Sequence, residues 1–331
     1  MIQVYNLYER VRQVRLYLII ALFFLSTTSS LHNRAKNPFF DSLTMMPPRA
    51  ALSHIFEDEE TCIAFLFDQG ILRQQRNCGR CSRQMKRCGN LWRCNNKNCR
   101  GPSKTIFHQS FFENANVPCN QLMEVAYYWL AGCGSTTIRI MTNLATDTVA
   151  AYMRHLAKLV AFNVSEDQGQ IGGPGIVVEI DEAKFGKRKY NRGHRVEGAW
   201  VFGGVERTPE RRVFAMVIPD RTQGTLLEAI RERIHPESII HSDMWRGYLN
   251  IESELGMEHR TVNHSTDFVN PITGVHTNTI EGTWNGLKVG IPIRHRTETS
   301  LEYKLLERIW RRDHSGDEWE AFLKCLRETA Y

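Results

Sequence analysis

The spacing of apolar positions changes several times along the chain, and each change marks a new kind of element. Leu16–Leu25 is an unbroken apolar run that follows Arg10, Arg12 and Arg15 and precedes Ser and Thr residues. The arrangement resembles a signal peptide, and the run is too short to span a bilayer as a helix. Asn-Pro and Pro-Pro pairs at Pro38 and Pro47 then read as linker. Residues 1–49 are accordingly expected to form a disordered or targeting-like extension, with Met45 and Met46 as alternative starts. Ile55, Phe56, Ile63, Ala64, Leu66 and Phe67 predict a short amphipathic helix that stops near Gly70. Helical spacing returns with Leu122, Val125, Ala126, Trp129 and Leu130, breaks at Gly132 and Gly134, and resumes over Ser135–Leu144. A third helix carries Val149, Tyr152, Met153, Leu156, Leu159 and Val160, with Thr146 or Asp147 as its cap. Helix, glycine turn, helix, longer helix is a helix-turn-helix-like outline over 113–166.

After the polar, Gly-rich linker 167–175 the period becomes strand-like. Strands are predicted at Ile176–Asp181, Ala199–Val205 and Val213–Ile218, followed by a helix at Thr225–Ile234 and a fourth strand at Ser238–Ser242. Trp245–Leu255 reads as helical, Arg260–His264 as a short strand, and Asn278–Val289 as a helix. A three-strand meander followed by alternating helix and strand is the order of an RNase H-like fold, in which the first strand is central and the fourth lies beside it. The expected class is therefore α/β: an RNase H-like mixed sheet with flanking helices over 176–331. A short helix plus zinc ribbon (50–112) and the small helical domain (113–166) precede it.

Composition changes this picture in two ways. Mean hydropathy of −0.37 fits a soluble globular chain. The net charge of +6 is unevenly spread: Ile71–His108 holds ten Lys/Arg and Ala183–Val196 six, neither with an acid. Concentrated basic segments in an otherwise acidic chain point to a polyanion such as nucleic acid; solvated basic loops are the plainer reading. The nine cysteines are odd in number, and four of them fall within one short basic segment as Cys78-x-x-Cys81 and Cys94-x4-Cys99. Two tight turns of that kind close a tetrahedron of thiolates, which suits one structural Zn²⁺ with no open position; Cys88 is a substitute ligand. The ribbon and the helical unit become candidate DNA-contacting modules, with Trp92 among the basic residues of the former.

Candidate chemistry then gathers on three acids. Asp181 ends the first strand, Asp243 follows the fourth, and Glu281 lies on the last predicted helix. There Ile280, Trp284 and Leu287 share an apolar face, while Asn278, Glu281, Asn285 and Lys288 share another. Three converging carboxylates bind hard divalent cations, usually Mg²⁺ together with phosphate oxygens. Glu179 and Glu182 flank Asp181, and Glu179 shares its strand face, so it stays open as an alternative ligand. His241, His264 and His276 are secondary candidates. Lys184, Lys187, Arg188, Lys189, Arg192 and Lys288 are the candidate DNA-backbone contacts.

IDEAKFGKRKYNRG, WVFGG, IIHSDMWRGY, VNHSTDFVNP and HTNTIEGTWNGLK closely resemble the Merlin superfamily of DDE transposases and their insertion-sequence relatives, from about Phe56 to Arg327. The resemblance implies an RNase H-like catalytic domain, two Mg²⁺ or Mn²⁺ ions on Asp181, Asp243 and Glu281, and cut-and-paste movement of double-stranded DNA. It also implies at least a dimer, to cut two element ends, and nuclear action in a eukaryotic host. Rival readings are a domesticated, catalytically silent zinc-ribbon DNA-binding protein, and a secreted protein resting on Leu16–Leu25 alone.

Overall fold

The computed structural model describes residues 46–99, 101–167, 169–186, 198–263 and 274–331. The expectations for 1–45, for Lys187, Arg188, Lys189 and Arg192, and for His264 lie outside the described residues. Where one helix was expected there are two, α1 (Arg49–Glu57) and α2 (Glu59–Asp68). The cause is Asp58: it is extended, and its carboxylate accepts the Thr61 N–H at 2.7 Å, an N-cap that starts α2 and so ends α1. Gly70, at φ +69°, turns the chain out of the helix. Strands β1 (Met85–Cys88), β2 (Leu91–Cys94) and β3 (Lys104–Thr105) form a small antiparallel sheet. Helices α3 (Cys119–Leu130), α4 (Ser135–Thr142) and α5 (Thr146–Asp167) follow in the expected order.

The main sheet contains β4 (Val177–Lys184), β5 (Trp200–Glu206), β6 (Val213–Ile218), β7 (Ile239–Asp243) and β8 (Glu258–Val262). Its order is β6-β5-β4-β7-β8, antiparallel through β4, β5 and β6 and parallel through β4, β7 and β8. The first strand is thus central and the fourth is its neighbour, as the RNase H-like reading requires. Helix α6 (Gln223–Arg233) bridges β6 and β7, with the Thr222 side chain accepting the Thr225 N–H at its start. The expected helix over Trp245–Leu255 is broken into a 3-10 turn, Arg246–Tyr248, and α7 (Ile251–Leu255). Asp243 Oδ1 accepts the Trp245 N–H at 2.9 Å and holds that stretch as a turn. Helix α8 (Asn278–Gly290) lies on β4 and β5.

Two further helices, α9 (Glu298–Asp313) and α10 (Glu318–Glu328), were not anticipated. Helix α9 packs on α5 and on β6; α10 packs on α3 and α5. Arg311 of α9 donates to the Trp129 and Leu130 carbonyls at 2.9 and 3.0 Å, closing the C-terminus of α3. One hydrophobic core therefore runs from Ile55 and Leu66 through Met85, Trp92, Leu122 and Leu156 to Trp284, Leu305 and Phe322. A second core covers the other face of the sheet, built on Val178, Ile180, Phe202, Phe214, Ile240 and Tyr248. Among the described residues no helix is long and apolar enough to cross a membrane.

Candidate functional site

Side chains of a strand alternate between faces, so Val178 and Ile180 enter the second core while Glu179 and Asp181 face α8. Glu179 is completely buried. One carboxylate oxygen accepts from Arg207 Nε at 2.6 Å and lies 3.4 Å from His276 Nδ1. The other accepts the backbone N–H groups of Thr279 and Ile280, at 2.8 and 3.0 Å. These are orphan donors of the first turn of α8, where negative charge is favoured. Glu179 thereby ties the helix that carries Glu281 to the central strand. Of the alternatives left open beside Asp181, Glu179 is already committed to anchoring a helix, together with His276. Its register partner across β4 and β7, His241, is buried with neither ring nitrogen hydrogen-bonded among the described residues, and burial pushes it down to about 4.

Asp181 sits two residues further along the same face. Burial raises its carboxyl to about 6; the charges of Asp243 and Glu281 push it in the same direction, against hydrogen bonds from the Glu182 backbone and from Trp284. The Trp284 indole N–H donates to Asp181 Oδ2 at 3.0 Å. Room for that indole comes from Gly203, the register partner of Asp181 on β5: a Cβ there would lie 2.6 Å from the Trp284 ring. Asp243 is the last residue of β7 and is half-buried; Glu281 is exposed in the first turn of α8. Asp243 and Glu281 both lie within electrostatic reach of Asp181, and hard oxygen donors of this kind suit a divalent cation. Glu182, on the opposite face with Tyr248, is raised to about 7 by burial and by Asp181 and Asp243.

Lys288 lies one turn beyond Trp284 on α8. Burial lowers it, while the charge of Asp181 pulls the other way. Lys184 ends β4, with Nζ 5.2 Å from the centre of the Trp200 ring. The residues missed by sequence reasoning are Glu179 as an anchor, Trp284 as a donor and Arg207. Trp284 was assigned to the apolar face, where its ring does pack; an indole one turn from an acid was the available signal.

The sulfur atoms of Cys78, Cys81, Cys94 and Cys99 all lie within 4.8 Å of one another. Cys78 and Cys99 are 3.7 Å apart, and Cys81 and Cys94 3.6 Å. Four sulfurs about 2.3 Å from a central Zn²⁺ would be separated by about 3.8 Å at the corners of a tetrahedron, so the set is compatible with zinc. Gly101 closes against it: a Cβ there would lie 2.5 Å from the Cys78 sulfur. Backbone hydrogen bonding from Arg83 pulls the Cys81 thiol down to about 6, and donation to Cys81 pushes Cys99 up to about 12. Cys88 is exposed and outside this set. Among the described residues the cysteines are the one group of metal-ligating side chains this close; the three carboxylates are not.

Residues 163–312 match a family model described as the ISXO2-like transposase domain. A Haemophilus influenzae protein described as an uncharacterized transposase-like protein is 33% identical over 110 residues, covering 31% of this chain and 83% of the relative. Among solved structures, the catalytic core domain of BIV integrase matches at 18% identity, over 39% of this chain and 80% of that one, with a TM-score of 0.26.

Proposed function

The chain belongs to the ISXO2-like transposase family, and on that premise we propose that it is a DDE transposase of the Merlin type. It binds the ends of a double-stranded DNA element and carries out metal-dependent strand cleavage and strand transfer. The observation that carries the reading is Asp181: a half-buried carboxyl on the central strand, raised to about 6 by desolvation, with Asp243 and Glu281 adding to the rise. Isolated, such a group is costly; with divalent cations it becomes a ligand. Asp181, Asp243 and Glu281 would hold two Mg²⁺ or Mn²⁺ ions. The chemistry supplied by such a pair is a lowered pKa for the attacking water or 3′-hydroxyl and stabilisation of the leaving oxygen at phosphorus.

The chain's own residues do the positioning. The Trp284 N–H orients Asp181, the Trp245 amide orients Asp243, and Glu179 fixes the start of α8 and with it Glu281. Lys184 and Lys288 take backbone phosphates near the acids, and Lys187, Arg188, Lys189 and Arg192 extend that contact. Cys78, Cys81, Cys94 and Cys99 hold one structural Zn²⁺, and the ribbon with α3–α5 grips the element ends. Two ends call for a homo-oligomer, and in a eukaryotic host the protein would work in the nucleus.

The test uses DNA flanking the gene, purified protein and Mn²⁺, beside the Asp243→Ala variant, with cleavage mapped to single nucleotides. Discrete cuts at inverted-repeat ends, absent with the variant although it still binds DNA, are expected. Normal cutting by the variant would remove Asp243 from the site. The rival reading, a silent DNA-binding protein, draws on the looser spacing of the carboxylates relative to the cysteines. It predicts binding without cuts.

A further inference from the structure

Four chain segments meet at one end of the main sheet. Strand β4 ends at Lys184, which pairs with Trp200 at the start of β5, which in turn pairs with Ile218 at the end of β6. Arg221 follows β6 and Trp245 follows β7. Their side chains stack in alternation. Lys184 Nζ is 5.2 Å from the Trp200 ring centre; the Arg221 guanidinium is 3.9 Å from the same ring and 4.7 Å from Trp245; Arg246 is 5.5 Å from Trp245. The result is a ladder of Lys184, Trp200, Arg221, Trp245 and Arg246. Beside it opens a cavity of about 500 Å³ lined by Arg221, Thr222, Gln223, Trp245, Arg246 and Gly247.

The arginines of this ladder differ from several others of the fold. Arg49, Arg207, Arg212 and Arg311 spend their N–H groups on carboxylates or carbonyls. Arg221 and Arg246 have no hydrogen bond or ion pair with any described residue. Stacking on an indole holds a guanidinium by its face and uses none of its donors. The N–H donors of Arg221 and Arg246 are therefore left for a phosphate, with Glu182 as the one carboxylate on which Arg221 acts electrostatically among the described residues. Thr222, also on the wall, is already bonded to Asp220 and Thr225. Trp245 couples the ladder to the acids, because its backbone N–H is held by Asp243.

We infer that Trp200, Arg221, Trp245 and Arg246 form a docking track for the phosphodiester backbone of a DNA strand beside Asp243. The inference rests on the DNA-processing reading of that site. The test is fluorescence anisotropy on the full chain with the Glu281→Gln substitution, without Mg²⁺, using a labelled duplex of about 30 base pairs of arbitrary sequence across about 50–300 mM NaCl. Arg221→Gln and Arg246→Gln are each expected to weaken binding several-fold and to lower the slope of log affinity against log salt by about 1. Arg246 is exposed, so its substitution leaves the fold intact even if loss of Arg221 loosens the two indoles. Parent-like affinity and slope in the Arg246→Gln protein, with Arg221→Gln either parent-like or misfolded, would overturn the inference while leaving the transposase reading in place. Failure of the parent to bind duplex would overturn both.

Discussion

At the scale of single residues, the sharpest consequence lies in Asp181. An aspartate whose folded pKa stands at about 6 instead of 3.8 favours its proton in the native state. Its ionisation therefore costs nothing below the unfolded value and costs most above the folded one, so stability from this group is lost as pH rises from about 4 to 6. The difference corresponds to about 3 kcal/mol in metal-free protein. Asp181→Asn, which keeps an oxygen for the Trp284 N–H, should raise the unfolding free energy at pH 7.5 by that order and leave it nearly unchanged at pH 4. Urea titrations at the two pH values measure this; an equal effect at both would mean that charge burial is not what distinguishes Asp181. Sequence alone marked Asp181 but left Glu179 open as its substitute, because strand periodicity gives a face and not a partner. What separates the two is the start of α8, about a hundred residues away, which claims Glu179.

Among elements, β5 and α8 show which glycines matter. On β5, Gly203 admits the Trp284 ring on one face, while Gly204 faces Phe214, whose ring would lie 2.5 Å from a Cβ there. Gly282 and Gly286 on α8 have nothing within 4 Å of the position a Cβ would take. Gly203→Ala should therefore push Trp284 off Asp181, destabilise the fold by about 1–3 kcal/mol and depress cleavage. Gly282→Ala should stabilise α8 by up to about 1 kcal/mol with cleavage retained. Thermal melts and the strand-cleavage assay on both variants check this pair; a harmless Gly203→Ala would break the proposed link from β5 through Trp284 to Asp181. The strands of the main sheet were legible to within a few residues, because β4 to β7 carry clean apolar runs. The split between α1 and α2 was not, since a single aspartate ends one helix by capping the next. Helices α9 and α10 also escaped the reading, although α9 joins α5 to the sheet.

For the molecule as a whole, the cysteine cluster is less peripheral than its sequence position implies. Spacing singled out the four cysteines that the structure brings together, yet it also made their segment look like a separate module. Cys78, Met85, Trp92 and Cys99 belong to the same hydrophobic core as α1, α3 and α10. Arg87 of β1 stacks 4.3 Å from the Phe67 ring of α2. A metal that organises the ribbon should then support the described body and not the ribbon alone, since binding to the folded form adds directly to folding free energy. The purified chain is expected to carry one zinc, to keep it in Cys88→Ser, and to lose it in Cys78→Ser. A strong chelator should lower the unfolding midpoint followed through the tryptophans of the main sheet and its covering helix, Trp200 on β5 and Trp284 on α8, as well as through Trp92. Elemental analysis of the three proteins and tryptophan-monitored melts with and without chelator provide the measurement. If zinc persists in Cys78→Ser, the ligand set is wrong. If zinc is lost on chelation but the sheet tryptophans melt unchanged, the ribbon folds on its own and the shared core does not transmit its stability.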